Sequence, residues 1–448
     1  MENKISLIIL VQLLIFVGCK QKINYETFPI EKHAANPPMG WNSWNNFGAD
    51  ITEQELKSQI DYIADSLKGY GYEYIVIDLG WYDPTGSGIG KTYKRAEPEL
   101  VMDEYGRLLP APNRFPSCSE GSFQPLANYI HSKGLKFGIH IMRGIPWEAV
   151  EKDLPIKGTK YSAKDIVLWD KTCVFYDGMR SIDMSKPGAQ EYYNSIAELY
   201  AAWEVDFIKA DDMISYPPKY DEMKALRYAM EQTGRPMVLS LSPGHINFWD
   251  RNMCKHFAEM YRVSGDVWDK WEHMNRAFNL AHKFNEYSER GGWADLDMLV
   301  LGYFGSRHEF SEHGRPSRLT KDEQLSHITL WSMAKSPLML GMDVTKLDEL
   351  TRRLITNKDI IAVNQFGENN EQIINENSII VWHSQVNEYD KYAAIFNTSN
   401  EVAAFNASQL ISGSGFYDIW LKENMQYNDL QNLEIPPHGV RFIKYKLN

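Results

Sequence analysis

Trp203-Glu204-Val205-Asp206-Phe207-Ile208-Lys209-Ala210-Asp211-Asp212-Met213 decides the fold. It reads as a helix end, a turn, and a short apolar run that closes on charged residues. A run such as Val205 to Ile208, flanked by helical patterns, suits a buried parallel strand. Side chains on a strand alternate with period two, so Lys209 and Asp211 share a face and Asp212 points away. A lysine and a carboxylate together at the C-terminal end of a buried strand are costly unless something uses them. In a βα-barrel that end is the catalytic face. The plainer alternative is a structural ion pair at the barrel rim.

Working outward, Ser185 and Pro187 start a helix whose face runs Tyr193, Ile196, Leu199, Tyr200 and Trp203, leading into that strand. Upstream, Pro37 to Trp44 reads as strand one. Thr52 and Glu55 form a capping box before the helical spacing of Leu56, Ile60, Ile63 and Leu67. Tyr72 to Asp78 is strand two and Leu135 to Met142 strand three. Downstream, Pro236 to Ser242, Phe257 to Val263, Met298 to Leu301 and Leu338 to Gly341 supply strands five to eight. Eight strands alternating with helices fit a (β/α)8 TIM barrel over residues 37–366. The stretch from Arg143 to Asp183 reads as irregular, and its length inside a compact domain marks it as functional. It holds Trp147, Trp169 and Tyr176. From 367 to 448 the texture changes to short alternating strands, a small C-terminal antiparallel β-domain.

A chain of 448 residues with 44% hydrophobic and 24% charged residues is ordinary for a globular protein. Its formal charge of −12 leaves no basic stripe for phosphates, so nucleic acid is excluded as a partner. The N-terminus has Lys4, an apolar run from Leu7 to Val17, then Gly18-Cys19. Residues 1–18 are expected to be a lipoprotein-type signal peptide, too short to span a membrane, with Cys19 as the lipid anchor. Residues 19–36 would be a tether, and the protein periplasmic or on the cell surface. Membrane contact is expected only through that anchor. Cys118, Cys173 and Cys254 then remain, an odd number, so at least one lacks an internal partner. Cys118 and Cys173, both in rim loops, are left open as a disulfide.

Asp78, His140, Lys209, Asp211, Ser242, Arg262, Asp266 and Asp297 all fall at or near expected strand ends. Asp211 and Asp266, from strands four and six, are placed to face each other across the mouth. Two facing carboxylates are what glycoside cleavage needs: one donates a proton to the leaving oxygen, the other attacks or stabilises the anomeric carbon. Lys209 would keep Asp211 ionised as nucleophile. Asp266, on a more apolar loop with Val267 and Trp268, is expected to be the acid. No metal or cofactor motif competes, with no HExxH, paired CxxC or Gly-rich phosphate loop. Two rivals stand: a Schiff-base lyase using Lys209, and a non-catalytic glycan-binding lipoprotein.

Met39-Gly40-Trp41-Asn42-Ser43-Trp44, Tyr74-Ile75-Val76-Ile77-Asp78, Val205 to Asp211, Arg262-Val263-Ser264-Gly265-Asp266 and Gly291-Gly292-Trp293-Ala294-Asp295-Leu296-Asp297-Met298 resemble, in order, glycoside hydrolase family 27, the α-galactosidases. The resemblance implies a retaining exo-glycosidase without cofactor, acting on oligosaccharide or glycan and releasing terminal α-linked galactose. It makes Asp211 the nucleophile and Asp266 the acid/base. Trp44, Asp78, Lys209 and Arg262 then line the sugar subsite, with His140 where a tyrosine is common and Ser242 after strand five. Leu79 stands where the family has a second aspartate, the pair holding hydroxyls 4 and 6 of galactose. Sibling specificities are α-N-acetylgalactosaminidase, isomaltodextranase-like α-glucosidase and β-L-arabinopyranosidase.

Overall fold

The computed structural model describes residues 33–86, 100–173, 176–242, 244, 246–286, 288, 291–305 and 314–447. The expected signal, Cys19 and the tether as far as residue 32 lie outside the described residues. Eight parallel strands form one sheet: Met39–Asn42, Tyr74–Ile77, Lys136–Met142, Phe207–Asp211, Val238–Leu241, Met260–Arg262, Trp293–Asp295 and Leu338–Leu340. They pair in sequence order from the first to the seventh, and the eighth pairs with the first. A parallel bridge between Leu299 and Leu340 closes the ring. This is the expected TIM barrel. Strand one gives way at Trp44 to a short helix, Trp44–Phe47. Strand one lies so close to strand two that a Cβ on Gly40 would stand 2.4 Å from the Tyr74 carbonyl oxygen.

Strand seven corrects the sequence reading. Met298 to Leu301 is the more strand-like run, but the residues that pair with strand six are Trp293, Ala294 and Asp295, opposite Met260, Tyr261 and Arg262. Asp297 adopts a positive φ of 87°, which breaks the extended chain there. Of the expected run only Leu299 reaches a neighbour, and it provides the closing bridge.

The Arg143 to Asp183 stretch is not irregular. It contains a three-stranded antiparallel sheet in which Tyr176–Ile182 lies between Ile145–Pro146 and Val167–Cys173. Two short helices, Trp147–Glu151 and Ala163–Ile166, complete it. Its pairings shift register, so no clean alternation announces it in sequence. The following helix runs Ala189–Ala202, starting later than expected, behind Gly188 in the left-handed region. It buries Tyr193, Ile196 and Tyr200 as the spacing required. The Thr52 capping box forms, with Thr52 N–H donating to Glu55 Oε2 at 3.0 Å and Glu55 N–H returning to Thr52 Oγ1.

Inside the barrel, Tyr74, Val76, Phe207, Val238, Met260, Trp293, Met298 and Met339 pack into one cluster. Phe207 on the inner face fixes the phase of strand four, so Lys209 and Asp211 point into the mouth. After the helix Lys358–Phe366 comes a six-stranded antiparallel sheet and a separate strand pair. Val381, Ile395, Ile411, Leu430 and Ile443 form its core. This β-region docks on the barrel helix Lys321–Met333, where Trp420 Nε1 donates to Thr329 Oγ1 at 3.0 Å and Ser326 Oγ to the His438 carbonyl at 2.6 Å. That docking accounts for a helix buried continuously from Leu325 to Met333. Cys118, Cys173 and Cys254 are all buried and free. The Cys118–Cys173 disulfide is therefore not formed, and the Cys173 thiol donates instead to the Arg143 carbonyl at 3.2 Å.

Candidate active site

At the ends of strands one, two and four, Asp78 gathers three donors. Asn42 Nδ2 and Lys209 Nζ each reach Oδ2 at 2.7 Å, and the Leu79 N–H reaches Oδ1 at 2.8 Å. Burial works against the charge on Asp78, but the Lys209 ammonium, His140 and these bonds hold its carboxyl well below the ordinary range. Burial likewise opposes the charge on Lys209, and Asp78 and Asp211 overcome it, so the amine stays protonated. The sequence reading paired Lys209 with Asp211; the direct salt bridge is to Asp78.

Asp211 has other partners. His140 Nε2 lies 2.9 Å from Oδ2, and Ser242 Oγ donates to Oδ1 in a short bond. Burial pushes the Asp211 carboxyl up, but His140, by charge and by hydrogen bond, then Lys209 and Ser242, bring it below its ordinary value. Strand register makes this arrangement. His140 pairs with Lys209 across strands three and four, and Lys209 with Ser240 across four and five. Three adjacent strands thus converge on one carboxylate, which is ionised, fixed in direction and able to attack an electrophilic carbon.

The opposite wall is built around Arg262, almost fully buried. Its Nη1 pairs with Asp297 Oδ1 at 2.9 Å and its Nη2 with Asp266 Oδ1 at 3.1 Å. The Asp297 second oxygen accepts the Val267 N–H at 2.7 Å. Burial raises the Asp297 carboxyl to about 7 despite Arg262, and it also raises Asp295. Asp266 differs from its expected environment. Its side chain is 60% exposed, because the loop turns Val267 inward and leaves the carboxylate in solvent on a guanidinium. Lys209, Ser242 and Arg262 line one cavity, together with Asn42, Asp295 and Asp297. The partners of Asp211 and of Asp266 therefore meet over one space.

Trp44 is half-buried against the barrel-interior cluster that includes Phe207 and Met339, which also line this cavity. Leu79 is buried beside Asp78. Two contributors were missed as site residues. Asn42 shares the inner face of strand one with Gly40, a period-two signal that was available. Asp295 fell outside the strand because strand seven was placed too late. Among the described residues no cluster of His, Cys, Asp and Glu is placed to hold a metal ion.

Comparison with known proteins gives the family. The α-galactosidase of Cyamopsis tetragonoloba is 29% identical over 83% of this chain and 75% of its own. α-Galactosidase A of Cellvibrio japonicus is 26% identical over 92% of both. Among solved structures, a β-L-arabinopyranosidase from Geobacillus stearothermophilus superposes with a TM-score of 0.87 at 40% identity, over 93% of this chain and 98% of that one. A Bacillus halodurans protein provisionally assigned as an α-N-acetylgalactosaminidase gives 0.82 at 37%, over 94% and 100%. With the α-galactosidase A family model matched over residues 36–180 and 157–366, the chain belongs to the melibiases of glycoside hydrolase family 27, as a divergent member.

Proposed function

We propose that the protein is a retaining exo-glycosidase that removes terminal α-linked galactose from oligosaccharides or glycans by double displacement. The observation that carries this reading is the Asp211 carboxylate, only 14% exposed yet kept ionised by His140, Lys209 and Ser242 at the end of strand four. In the first step Asp211 attacks the anomeric carbon while Asp266 passes its proton to the departing oxygen. In the second, Asp266 takes a proton from water, which displaces Asp211 from the sugar. Arg262 beside Asp266 steadies the carboxylate left after the first transfer. The ion pair of Lys209 with Asp78 leaves no free amine for a Schiff base. Asp211→Asn is expected to lose about 10³-fold or more in kcat on a nitrophenyl α-galactoside. Near-normal activity in that variant would remove the assignment.

A second reading has its own support. β-L-Arabinopyranose has the galactose ring without the hydroxymethyl group, and Leu79 puts an apolar side chain where the family's second aspartate holds hydroxyls. The relative from Geobacillus stearothermophilus cleaves that pentoside. Parallel rates on nitrophenyl α-galactoside and β-L-arabinopyranoside separate the two readings. The apolar run closing at Gly18-Cys19 supports export and lipid anchoring at the cell envelope. Palmitate labelling, abolished in Cys19→Ala, tests that.

A further inference from the structure

We propose that Trp169, Trp147 and Arg180, on the sheet inserted after strand three, form a shelf that binds the leaving-group side of the substrate by stacking a pyranose ring on indole. The proposal rests on the glycosidase reading of the site and adds where the rest of the sugar chain goes.

The insert hangs from the nucleophile's own main chain. Arg143, where it begins, donates its N–H to the Asp211 carbonyl at 3.3 Å. The Arg143 guanidinium is buried and clamps the next residue twice, from Nε to the Asp212 carbonyl at 2.9 Å and from Nη2 to the Asp212 carboxylate at 2.8 Å. Nη1 bonds Glu222 at 2.7 Å and Ser181, within the insert, at 2.9 Å. Gly144 follows with φ of 87°, and a Cβ there would stand 2.1 Å from the Arg180 carbonyl oxygen. Ile145 then pairs with Arg180, and Pro146 with Met179. Arg180 is thus opposite a residue two places from Arg143, and Trp147 is four places from it. At no more than about 3.3 Å per residue these positions stand at most roughly 7 and 13 Å along the chain from the contact with the Asp211 backbone, within the reach of the first rings beyond the cleaved bond.

The shelf is braced rather than loose. The Arg180 guanidinium lies 4.3 Å from the centroid of the Trp147 ring. Trp147 and Trp169 meet edge to face, 6.2 Å apart at 90°. Trp169 nevertheless keeps 59% of its surface exposed. An indole held rigidly in solvent is an anchor waiting for a flat apolar partner, and the C–H face of a pyranose is one. The inner subsite, walled by Lys209, Ser242 and Arg262, recognises a sugar by charge and hydrogen bond. The insert offers the complementary surface for the rings behind it.

The test compares α-galactosyl fluoride, whose leaving group is too small to reach the shelf, with raffinose, in the wild-type enzyme, Trp169→Ala and Trp169→Phe. Trp169→Ala is expected to raise KM for raffinose about tenfold more than for the fluoride, the scale of losing one aromatic anchor, with kcat on raffinose largely kept. Trp169→Phe, which retains a stacking face, should recover most of the difference. Equal changes on both substrates, an unchanged raffinose KM, or no recovery with Phe would overturn the shelf. So would raffinose that neither turns over nor competes with the fluoride in the wild-type enzyme. Failure of the wild type to hydrolyse the fluoride would instead remove the galactosidase reading and, with it, this one.

Discussion

His140 is where one substitution separates charge from packing. The ring is 0% exposed, Nε2 lies 2.9 Å from Asp211 Oδ2, and Nδ1 has no hydrogen-bond partner. A buried N–H without an acceptor is costly, so Nε2 is the nitrogen whose proton is donated to the carboxylate. His140→Phe removes that bond and leaves the Asp211 oxygen without its partner, so the folded protein should also lose some stability at neutral pH. Burial then acts on Asp211 with only Lys209 and Ser242 opposing it. The nucleophile works ionised, and activity is lost as pH falls through its titration. Removing a group that holds this carboxyl down therefore moves the acidic limb of kcat/KM toward neutral pH. A hydrogen bond to a charged group contributes about 1.5–3 kcal/mol. At a fixed pH on the limb, kcat/KM should accordingly fall by about 10- to 150-fold, with a smaller loss on the plateau. The assay is kcat/KM against pH on a nitrophenyl glycoside, alongside thermal unfolding. An acidic limb that stays in place, or moves to lower pH, in a variant that still unfolds cooperatively would refute the assignment of His140 as the main counter-group of Asp211.

Two further outcomes follow from the same walls. Leu79→Asp restores a carboxylate beside Asp78 and should shift the ratio of kcat/KM for α-galactoside over β-L-arabinopyranoside by about 10- to 150-fold toward galactose, the scale of one charged hydrogen bond. The site is buried and already anionic, so absolute rates should drop, and an unchanged ratio would show that position 79 does not touch the sugar's hydroxymethyl group. Asp297, raised to about 7 by burial, binds a proton in the folded protein that the unfolded chain releases at lower pH. Unfolding free energy should therefore fall as pH rises from the ordinary carboxyl range toward 7, then level off. Urea titrations across that window should show this slope in the wild type and a smaller one in Asp297→Asn; identical slopes would count against it.

The parts legible in sequence were those carried by local signals. Period-two phasing put Lys209 and Asp211 on one face, the Thr52 and Glu55 pair marked a helix start, and one polar residue per strand end outlined the mouth. What failed depended on information that is not local. Trp293-Ala294-Asp295 follows two glycines and contains no β-branched residue, so Met298 to Leu301 outscored it, and nothing in the residues announced the positive φ at Asp297. The insert's strands were hidden by register shifts. Which cation faces which carboxylate was set by the offset between neighbouring strands. Residue 140 lies beside 209, which lets histidine take Asp211 and frees the lysine to hold Asp78.

In the mechanism we propose, the unequal settings of the two carboxylates let one active site ask opposite things of the same chemical group. A nucleophile must be ionised and aimed before the sugar arrives, and Asp211 is held in one direction by His140 on one oxygen and Ser242 on the other. An acid/base must give a proton to the leaving oxygen and take one from the attacking water within each turnover, so it must be open to both. Asp266, more than half exposed on a loop with Arg262 as its partner, is open to the water whose proton it takes in the second step, with the guanidinium beside the carboxylate left by the first. Exchanging the settings would give a stranded proton on one side and an unaimed nucleophile on the other. The exposure of Asp266 departs from the apolar loop expected for it, yet it fits a group that must donate in one step and accept in the next.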